Sequence, residues 1–291
     1  MTVYEALLPE RPEEMHKGVR GGVVVVGGCD IYRGAPVLAA RGALRAGCGL
    51  AVIFSDEPIC AAAASSLPEA VFLSGLFGRT VDSVLELLSS WESRVDCMVL
   101  GPGLGRSVEA GEVVRIMMQT WTKPLVVDGD GLFWLPLFWD RRPSRDMVLL
   151  TPHEGEAAHL LGLAREIVSE DREAAARTIA SRYGVVLLKG KRTLIHDGIS
   201  SDTVEEGDQT LAIPGSGDVL SGAIAAFAAS GASLFDSARL GAYVHGRAGR
   251  MISCESGIDG ALASEVADAM PKVIGSMRKR GNEGKKTHRL G

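Results

Sequence analysis

Short apolar runs that end in glycine or polar residues recur along this chain, and they restrict its possible folds more than any other feature. The first run, Val23–Val26, is entirely β-branched, which is typical of a strand covered on both faces. A predicted helix over residues 35–46, with Gly47 as its stop, leads to a predicted strand at residues 50–54. Further strands are predicted at residues 97–100, 124–127, 147–150 and 185–188. This alternation predicts a three-layer α/β/α fold with a mainly parallel central sheet.

The second half of the chain adds a well-marked helix start, a hairpin and a helical C-terminal third. Thr151-Pro152-His153-Glu154 has the form of a capping box with proline at the first helical position, and predicts a helix over residues 154–161 that Gly162 closes. A helix over residues 171–183 precedes a predicted hairpin at residues 193–198. The remaining helices are predicted at residues 219–229, 234–251 and 261–277.

The length of 291 residues and the hydrophobic content of 46% suffice for a substantial core. No linker or change of composition interrupts residues 18–277, so we expect a single catalytic domain there. Residues 1–17 are predicted to be a leader, and residues 278–291 a basic flexible tail.

Charge and cysteine usage exclude several classes of protein. The formal charge of −5 argues against a nucleic-acid surface, which usually carries a basic patch. Five scattered cysteines, an odd number without a C-x-x-C pair, fit a reducing cytoplasm. The acidic N-terminus does not resemble a signal peptide, and no apolar helix candidate approaches the roughly 20 residues needed to span a membrane. We therefore expect a cytoplasmic protein without a nucleic-acid or membrane partner.

The segment Gly215-Ser216-Gly217-Asp218 leads directly into a predicted buried helix. Free backbone N–H groups and the helix dipole attract anions at such a helix start, and glycine lets a phosphate oxygen approach closely. A carboxylate at this place repels phosphate unless it has a function, such as accepting a proton from an attacking hydroxyl. The alternative is that Asp218 is merely a favourable residue for the first turn of a helix.

Two earlier glycine loops follow predicted strands, and neither matches a common nucleotide fingerprint. Residues 27–34 lack the Lys-Ser/Thr ending of a P-loop, and residues 101–105 are not G-x-G-x-x-G. Together with the helix start at Gly215, they give three places where a backbone can approach a charged ligand. This arrangement predicts a phosphate-bearing ligand at the carboxyl edge of the sheet.

Charged side chains on the same edge have two interpretations each. His153 either contacts a ligand or is a surface histidine. Asp128 and Asp130 either hold Mg²⁺ through water or brace their loop. Lys189 either reaches a phosphate as a point charge or belongs to an exposed loop.

Read together, ten short motifs resemble the ADP/ATP-dependent NAD(P)H-hydrate dehydratases, a family with the ribokinase-like fold. The resemblance covers about residues 16–272, and the joint order and spacing of the motifs make it specific. The motifs are His16-Lys17-Gly18, Val25-Val26-Gly27-Gly28, Gly34-Ala35-Pro36, Ala43-Leu44-Arg45-Ala46-Gly47, Leu67-Pro68-Glu69, Gly101-Pro102-Gly103-Leu104-Gly105, Asp128-Gly129-Asp130-Gly131-Leu132, Thr151-Pro152-His153-Glu154-Gly155-Glu156, Leu188-Lys189-Gly190 and Gly215-Ser216-Gly217-Asp218. Gly260-Ala261-Leu262-Ala263-Ser264-Glu265 extends the match.

The resemblance implies a repair enzyme that removes water from hydrated NADH or NADPH at the expense of ADP or ATP, with Mg²⁺ expected and no metal ligand assigned. It implies that Asp218 is the catalytic base that deprotonates the hydroxyl of the hydrate. The hydrate pocket is implied to contain Ala35, Gly103, Gly105, His153, Glu156 and Asp218. The nucleotide site is implied to contain Lys189, Gly190, Lys191, Arg192, Thr193, Gly215, Ser216 and Gly217.

Two departures from the family pattern concern the loop before the helix start. Asp208 stands where the family usually has asparagine, and Pro214 where it has a further glycine, so nucleotide affinity or choice is predicted to differ. By analogy with the family we expect a homo-oligomer and an epimerase on a separate chain. Two alternatives stay open, a ribokinase-like kinase for a vitamin-precursor or sugar alcohol and a nucleotide-binding regulator without turnover. Both ADP and ATP stay open as the nucleotide, and both NADH hydrate and NADPH hydrate as the substrate.

Overall fold

A nine-stranded sheet in the order β3-β2-β1-β4-β5-β6-β7-β8-β9 runs through the molecule. The computed structural model describes residues 3–11, 20–141 and 144–287, so the motif His16-Lys17-Gly18 and residues 288–291 lie outside the described residues. The strands are β1 Gly22–Val26, β2 Leu50–Ser55, β3 Val71–Ser74, β4 Cys97–Leu100, β5 Leu125–Val127, β6 Val148–Leu150, β7 Val185–Leu188, β8 Thr193–His196 and β9 Ser201–Val204. Pairing is parallel from β3 to β7 and antiparallel from β7 to β9, which confirms the predicted hairpin.

Helices cover both faces of this sheet. They are α1 Val3–Ala6, α2 Ala35–Ala46, α3 Glu57–Ser66, α4 Val81–Glu92, α5 Val108–Thr120, α6 Asp130–Phe138, α7 Glu154–Leu161, α8 Arg165–Glu170, α9 Arg172–Tyr183, α10 Ser216–Ala229, α11 Leu234–Ser256 and α12 Ala263–Thr287. Val23 and Val25 join one buried cluster with α2, α10, α11 and α12, whereas Val24 and Val26 join a second cluster on the opposite face. Alternate side chains of a strand point to opposite faces, so the β-branched run is buried on both sides, as predicted.

The strand order reverses beside β1, because the chain runs outward through β2 and β3 and then returns to place β4 on the other side of β1. Ligands of open α/β sheets bind at such a switch point, beyond the carboxyl ends of the strands. The loops after β1 and β4 both carry glycine clusters, and they flank this crevice. The topology therefore places both early glycine loops where a ligand is expected.

Helix α10 lies directly against α2. A Cβ added to Gly222 would come within 1.8 Å of the Ala39 carbonyl oxygen, and one added to Gly42 within 2.3 Å of the Val219 carbonyl oxygen. The two glycines therefore allow backbone-to-backbone contact between the first half of α10 and the middle of α2.

Several predicted boundaries are confirmed and others need correction. Helices α2 and α7 have the predicted ends. Helix α11 continues to Ser256, and α12 to Thr287 instead of ending at Met277, so part of the predicted flexible tail is helical. The predicted leader also contains structure: the Tyr4 ring stacks on Tyr243 at 4.2 Å, and Glu5 pairs with Arg280 at 2.5 Å. In the described part of the chain, no helix has the length and apolar character to cross a membrane.

Candidate active site

The segment Gly215–Asp218 forms the start of α10, as its pattern predicts. Gly215 has φ +84°, a conformation that favours glycine, and the helix start has no side-chain cap. The Ser216 N–H donates to the Ile213 carbonyl at 3.3 Å, whereas the N–H groups of Gly217 and Asp218 meet no backbone acceptor among the described residues. Two donors are therefore available to an anion at this helix start.

The Ser216 hydroxyl is hydrogen-bonded to His245 of α11. Both side chains are buried, and Ser216 Oγ lies 3.1 Å from His245 Nε2. Burial lowers the pKa of His245 to about 4, so the imidazole is neutral at physiological pH. His245 was not predicted as a site residue, because it lies in the middle of a helix, remote in sequence from every glycine motif.

Lys189 directly follows β7, and its side chain lies next to the start of α10. Its ammonium lies 3.0 Å from Asp128 Oδ1, at the end of β5, and 3.7 Å from Glu156 Oε2, in the first turn of α7. A Cβ added to Gly217 would lie 3.3 Å from the Lys189 Nζ. Four elements that are distant in sequence thus converge at one sheet edge, and of the two interpretations of Lys189 the exposed-loop one is wrong.

Asp218 has an unusual protonation equilibrium in this cluster. Burial, reinforced by the negative charges of Asp128 and Glu156 and opposed by Lys189, raises the pKa of its carboxyl to about 8. Burial lowers the pKa of Lys189, but Asp128 and Glu156 outweigh it and the net shift is upward. Lys189 therefore keeps its positive charge, and beside it the Asp218 carboxyl exchanges its proton near neutral pH, as a general base must.

His153 and Glu156 form the cap of α7. The His153 Nδ1 accepts from the N–H groups of Gly155 (2.9 Å) and Glu156 (3.2 Å), and Glu156 Oε2 accepts from the His153 N–H at 2.7 Å. The predicted capping box was wrong in its register, since the imidazole acts as the cap and Pro152 precedes the helix. With Nδ1 as acceptor, a neutral imidazole carries its proton on Nε2, which lies 3.7 Å from Glu156 Oε1.

The two early glycine loops pack against each other. The Gly28 N–H donates to the Pro102 carbonyl at 2.9 Å, and a Cβ on Gly27 would come within 2.3 Å of that oxygen. Gly103 has φ +59°, and its Cβ would lie 2.9 Å from that of Ala35. Close approach of protein backbone, not of a ligand, therefore explains several of these glycines.

Asp130 braces the second glycine loop. Its Oδ2 accepts from the Gly105 N–H at 2.8 Å, and its Oδ1 lies 3.2 Å from Arg106 Nε. Bracing is thus the observed role of Asp130, while Asp128 holds Lys189.

Two adjoining clefts open at this edge. The larger, of about 740 Å³, is lined by Cys29, Tyr32, Leu104, Gly105 and Asp130 among others, and the smaller, of about 370 Å³, includes His153 and Glu156. Arg106 lines both and lies over the Phe133 ring at 4.4 Å. Their volumes fall in the range of small-molecule sites. Glu156 connects the smaller cleft with the Lys189 cluster.

The remaining predicted nucleotide residues lie in the loop between β7 and β8 and at the first residue of β8. Lys191 and Arg192 are exposed, and Arg192 pairs with the exposed Glu205 at 3.0 Å. Thr193 Oγ1 donates to the Gly190 carbonyl at 3.4 Å. The described residues thus place Lys189 in the half-buried cluster with Asp128 and Glu156 and leave the tip of its loop at the surface.

The departure at Asp208 has a structural explanation. Asp208 caps a short 3₁₀ turn, Gln209–Leu211, by accepting from the Thr210 N–H at 3.0 Å, and its other oxygen accepts from Ser253 Oγ at 2.5 Å. Aspartate and asparagine serve equally well as caps. Pro214 is exposed one residue before Gly215.

Comparison with known proteins gives matches over nearly the whole chain. The family model described as NAD(P)H-hydrate dehydratase matches residues 23–272. The chain is 38% identical over 274 residues to a bifunctional NAD(P)H-hydrate repair enzyme of Thermanaerovibrio acidaminovorans, covering 93% of this chain and 53% of the relative. It is 37% identical over 270 residues to the ADP-dependent (S)-NAD(P)H-hydrate dehydratase of Neisseria meningitidis, covering 89% and 86%. The chain thus spans about half the length of the bifunctional curated relatives it matches.

A solved structure supports the same relationship. The ADP/ATP-dependent NAD(P)H-hydrate dehydratase of Bacillus subtilis, co-crystallised with ATP/Mg²⁺, superposes with a TM-score of 0.80 at 26% identity, covering 94% of this chain and 96% of that one. The predicted ribokinase-like fold is confirmed.

Proposed function

Because the chain belongs to the NAD(P)H-hydrate dehydratase family, we propose that it restores hydrated NADH or NADPH by a dehydration that consumes ADP or ATP. The observation that carries this proposal is the position of Asp218. A carboxyl whose pKa is raised to about 8 stands in the first turn of α10, close to the Lys189 ammonium and beside two N–H groups that meet no backbone acceptor in the described part of the chain. That combination serves transfer of a phosphoryl group to a hydroxyl.

The first step is phosphorylation of the hydrate. Asp218, as carboxylate, accepts the proton of the hydroxyl, whose oxygen attacks the terminal phosphorus of the nucleotide. The bond from that phosphorus to the bridging oxygen breaks, and ADP leaves from ATP, or AMP from ADP. The N–H groups of Gly217 and Asp218 and the Lys189 ammonium stabilise the charge on the transferring group.

The second step is elimination. The lone pair of the ring nitrogen expels phosphate from the neighbouring carbon, and loss of a proton from the next carbon restores the ring double bond. The substrate itself supplies this electron pair, so the protein needs no second strong acid. We place the hydrate in the joined clefts, which Gly105, His153 and Glu156 help to line. Gly103 lies against Ala35 and against Tyr32, which lines the larger cleft.

Mg²⁺ is expected to accompany the nucleotide, as in the related crystal structure with ATP/Mg²⁺. Within residues 3–11, 20–141 and 144–287 no cluster of three or more His, Cys, Asp or Glu side chains is suited to a metal ion. This fits a cation held chiefly by phosphates and water, with one or two protein carboxylates at most. Bound beside the nucleotide phosphates, Mg²⁺ would neutralise part of their negative charge.

Incubation with hydrated NADH or NADPH and either nucleotide tests the proposal. We expect the nicotinamide absorbance to return only when ADP or ATP is present, with release of one phosphate per molecule repaired. A ribokinase-like kinase would instead release a stable phosphorylated product. Absence of recovery with both nucleotides and both hydrates would rule out the dehydratase.

Activity is predicted to depend on pH through Asp218. A carboxyl with a pKa of about 8 is mostly protonated below that pH, so the free enzyme gains its base as the pH rises. We expect kcat/KM for the hydrate to increase about tenfold per pH unit up to about pH 8 and then to level off. The measurement is a pH–rate profile at low concentrations of both hydrate and nucleotide, so that kcat/KM reports the free enzyme.

Asp128→Asn provides the matched variant for this profile. Asp128 is the neighbouring charge that most strongly raises the pKa of Asp218. Neutralisation of Asp128 should move the midpoint of the pH–rate profile to lower pH. A wild-type kcat/KM that stays constant from about pH 6 to about pH 9 would contradict the assignment of Asp218 as the base.

Three finer predictions accompany this function. We predict that the protein forms a homo-oligomer, which measurement of its size in solution would test. We predict a cytoplasmic location, which cell fractionation would test. We also predict that epimerisation is carried out by a separate protein, so the purified protein should show no epimerase activity.

A further inference from the structure

The loop between β7 and β8, residues 189–192, is held by one side chain from α9. Arg172 Nη2 donates to the carbonyl oxygens of Leu188 (3.2 Å), Lys189 (3.3 Å) and Arg192 (3.0 Å). A single guanidinium therefore bonds to both ends of the loop that carries half of the proposed nucleotide residues. Sequence reasoning missed Arg172, because nothing in its own helix indicates this distant contact.

The guanidinium lies directly against the middle of the loop. A Cβ added to Gly190 would come within 2.5 Å of Arg172 Nη1. The backbone of Gly190 is not in the left-handed region, so a side chain there would be opposed chiefly by the Arg172 guanidinium, which would have to shift. The loop is thus shaped around this side chain.

Glu154 fixes Arg172 from the opposite side. Its Oε1 accepts from Arg172 Nη1 at 2.5 Å, and both side chains are less than a quarter exposed. The bond to Arg172 keeps the pKa of Glu154 below its ordinary value, so the pair stays ionised. Glu154 is the first residue of α7, between the cap residue His153 and Glu156, which faces Lys189.

We propose that Arg172 is a positioning residue for the adenine nucleotide, holding residues 188–192 in the shape that presents Lys189 to the phosphates. This inference rests on the proposed function. The Lys189 carbonyl is bonded to Arg172 while its ammonium reaches the start of α10, so displacement of the loop displaces the cation as well. Through Glu154 the same contact ties the nucleotide loop to the start of α7, on the hydrate side.

A lysine cannot replace this arginine. The planar guanidinium presents several N–H groups in fixed directions and serves three carbonyls and a carboxylate together, whereas an ammonium is a point charge on a flexible chain. Arg172→Lys should therefore keep the charge next to Glu154 and lose the bonds that shape the loop. We expect the Kd for ATP and for ADP to rise about tenfold or more.

Arg165→Gln is the matched control. Arg165 also pairs with Glu154, at 3.5 Å, and among the described residues it makes no bond to residues 188–193. Calorimetry with each nucleotide in the absence of hydrate gives Kd, and steady-state assays give kcat and both KM values. For Arg172→Lys we expect the nucleotide KM to follow Kd and kcat to fall as well, because the displaced Lys189 ammonium also stabilises the transferring group, while the hydrate KM stays within about threefold of wild type. Arg165→Gln should bind nucleotide as the wild type does.

The outcomes separate this inference from the function it rests on. If the wild type binds and uses a nucleotide but Arg172→Lys binds it equally well, the positioning role is wrong and the proposed function stands. If the wild type binds neither nucleotide, both fail. Equal losses of nucleotide affinity, hydrate affinity and thermal stability in Arg172→Lys would indicate general destabilisation and overturn the inference. Glu154→Gln keeps the shape of the side chain. It should raise the nucleotide Kd by less than Arg172→Lys does, without a change in hydrate affinity.

Discussion

Asp218→Asn is expected to lower kcat by about a thousandfold or more, because a general base contributes about 10²–10⁴ to the rate and no neighbouring group can replace it. Glu156 and Asp128 are already engaged with the His153 N–H and with Lys189, respectively. The measurement is single-turnover recovery of nicotinamide absorbance with saturating nucleotide and hydrate.

Nucleotide affinity distinguishes loss of the base from loss of the site. With a pKa of about 8, Asp218 is mostly uncharged at pH 7, and asparagine closely resembles the protonated acid. The Kd for ATP at pH 7 should therefore stay within about twofold of wild type. A variant that neither binds nucleotide nor turns over would show that Asp218 has another role.

Asp82→Asn tests the alternative interpretation of Asp218 as a favourable helix residue. Asp82 is also an acidic residue in the first turn of a helix, α4, and it is exposed. A carboxylate that serves only the helix dipole contributes about 0.3–1 kcal/mol to stability. If Asp218→Asn changed only stability by a similar amount and retained turnover, the helix interpretation would be correct.

Gly217→Val is expected to weaken nucleotide binding by about a hundredfold or more while the protein stays folded. The new Cβ would lie 3.3 Å from Lys189 Nζ and 4.0 Å from Asp128 Oδ2, so the branched side chain fills the space between the helix start and the ammonium. Phosphate oxygens then cannot approach the Gly217 N–H. Calorimetric titration with ATP and ADP measures the loss.

The control for this steric argument is Gly275→Val. Gly275 is also helical, in α12, and a Cβ there meets no atom within 4 Å. Both variants replace glycine by valine in a helix, where valine is slightly more favourable than glycine, so circular dichroism and thermal melting should stay close to wild type in both proteins. Wild-type turnover in Gly217→Val would contradict the placement of the anion at this helix start.

The parts of the fold that sequence predicted best have strong local signals. Ala35–Ala46 begins before a proline and ends at a glycine with φ +102°, so its limits follow from the chain alone. Helix α6 was missed because Pro136 interrupts an aromatic-rich run that has no helical periodicity. The cap of α7 was assigned two residues too early, to Thr151 instead of His153, because an imidazole is an uncommon cap and only the folded backbone shows its two bonds.

The chain by itself determined which segments become buried strands and which helix start is free to bind an anion. Those properties depend on a few consecutive residues, such as the β-branched run of β1 and the glycines beside Asp218. The protonation of Asp218 and the ion pair of Lys189 with Asp128, 61 residues away, were decided only by the tertiary structure. Burial and Coulomb interactions depend on distance in space, and neither that distance nor the three bonds from Arg172 is set before the sheet assembles.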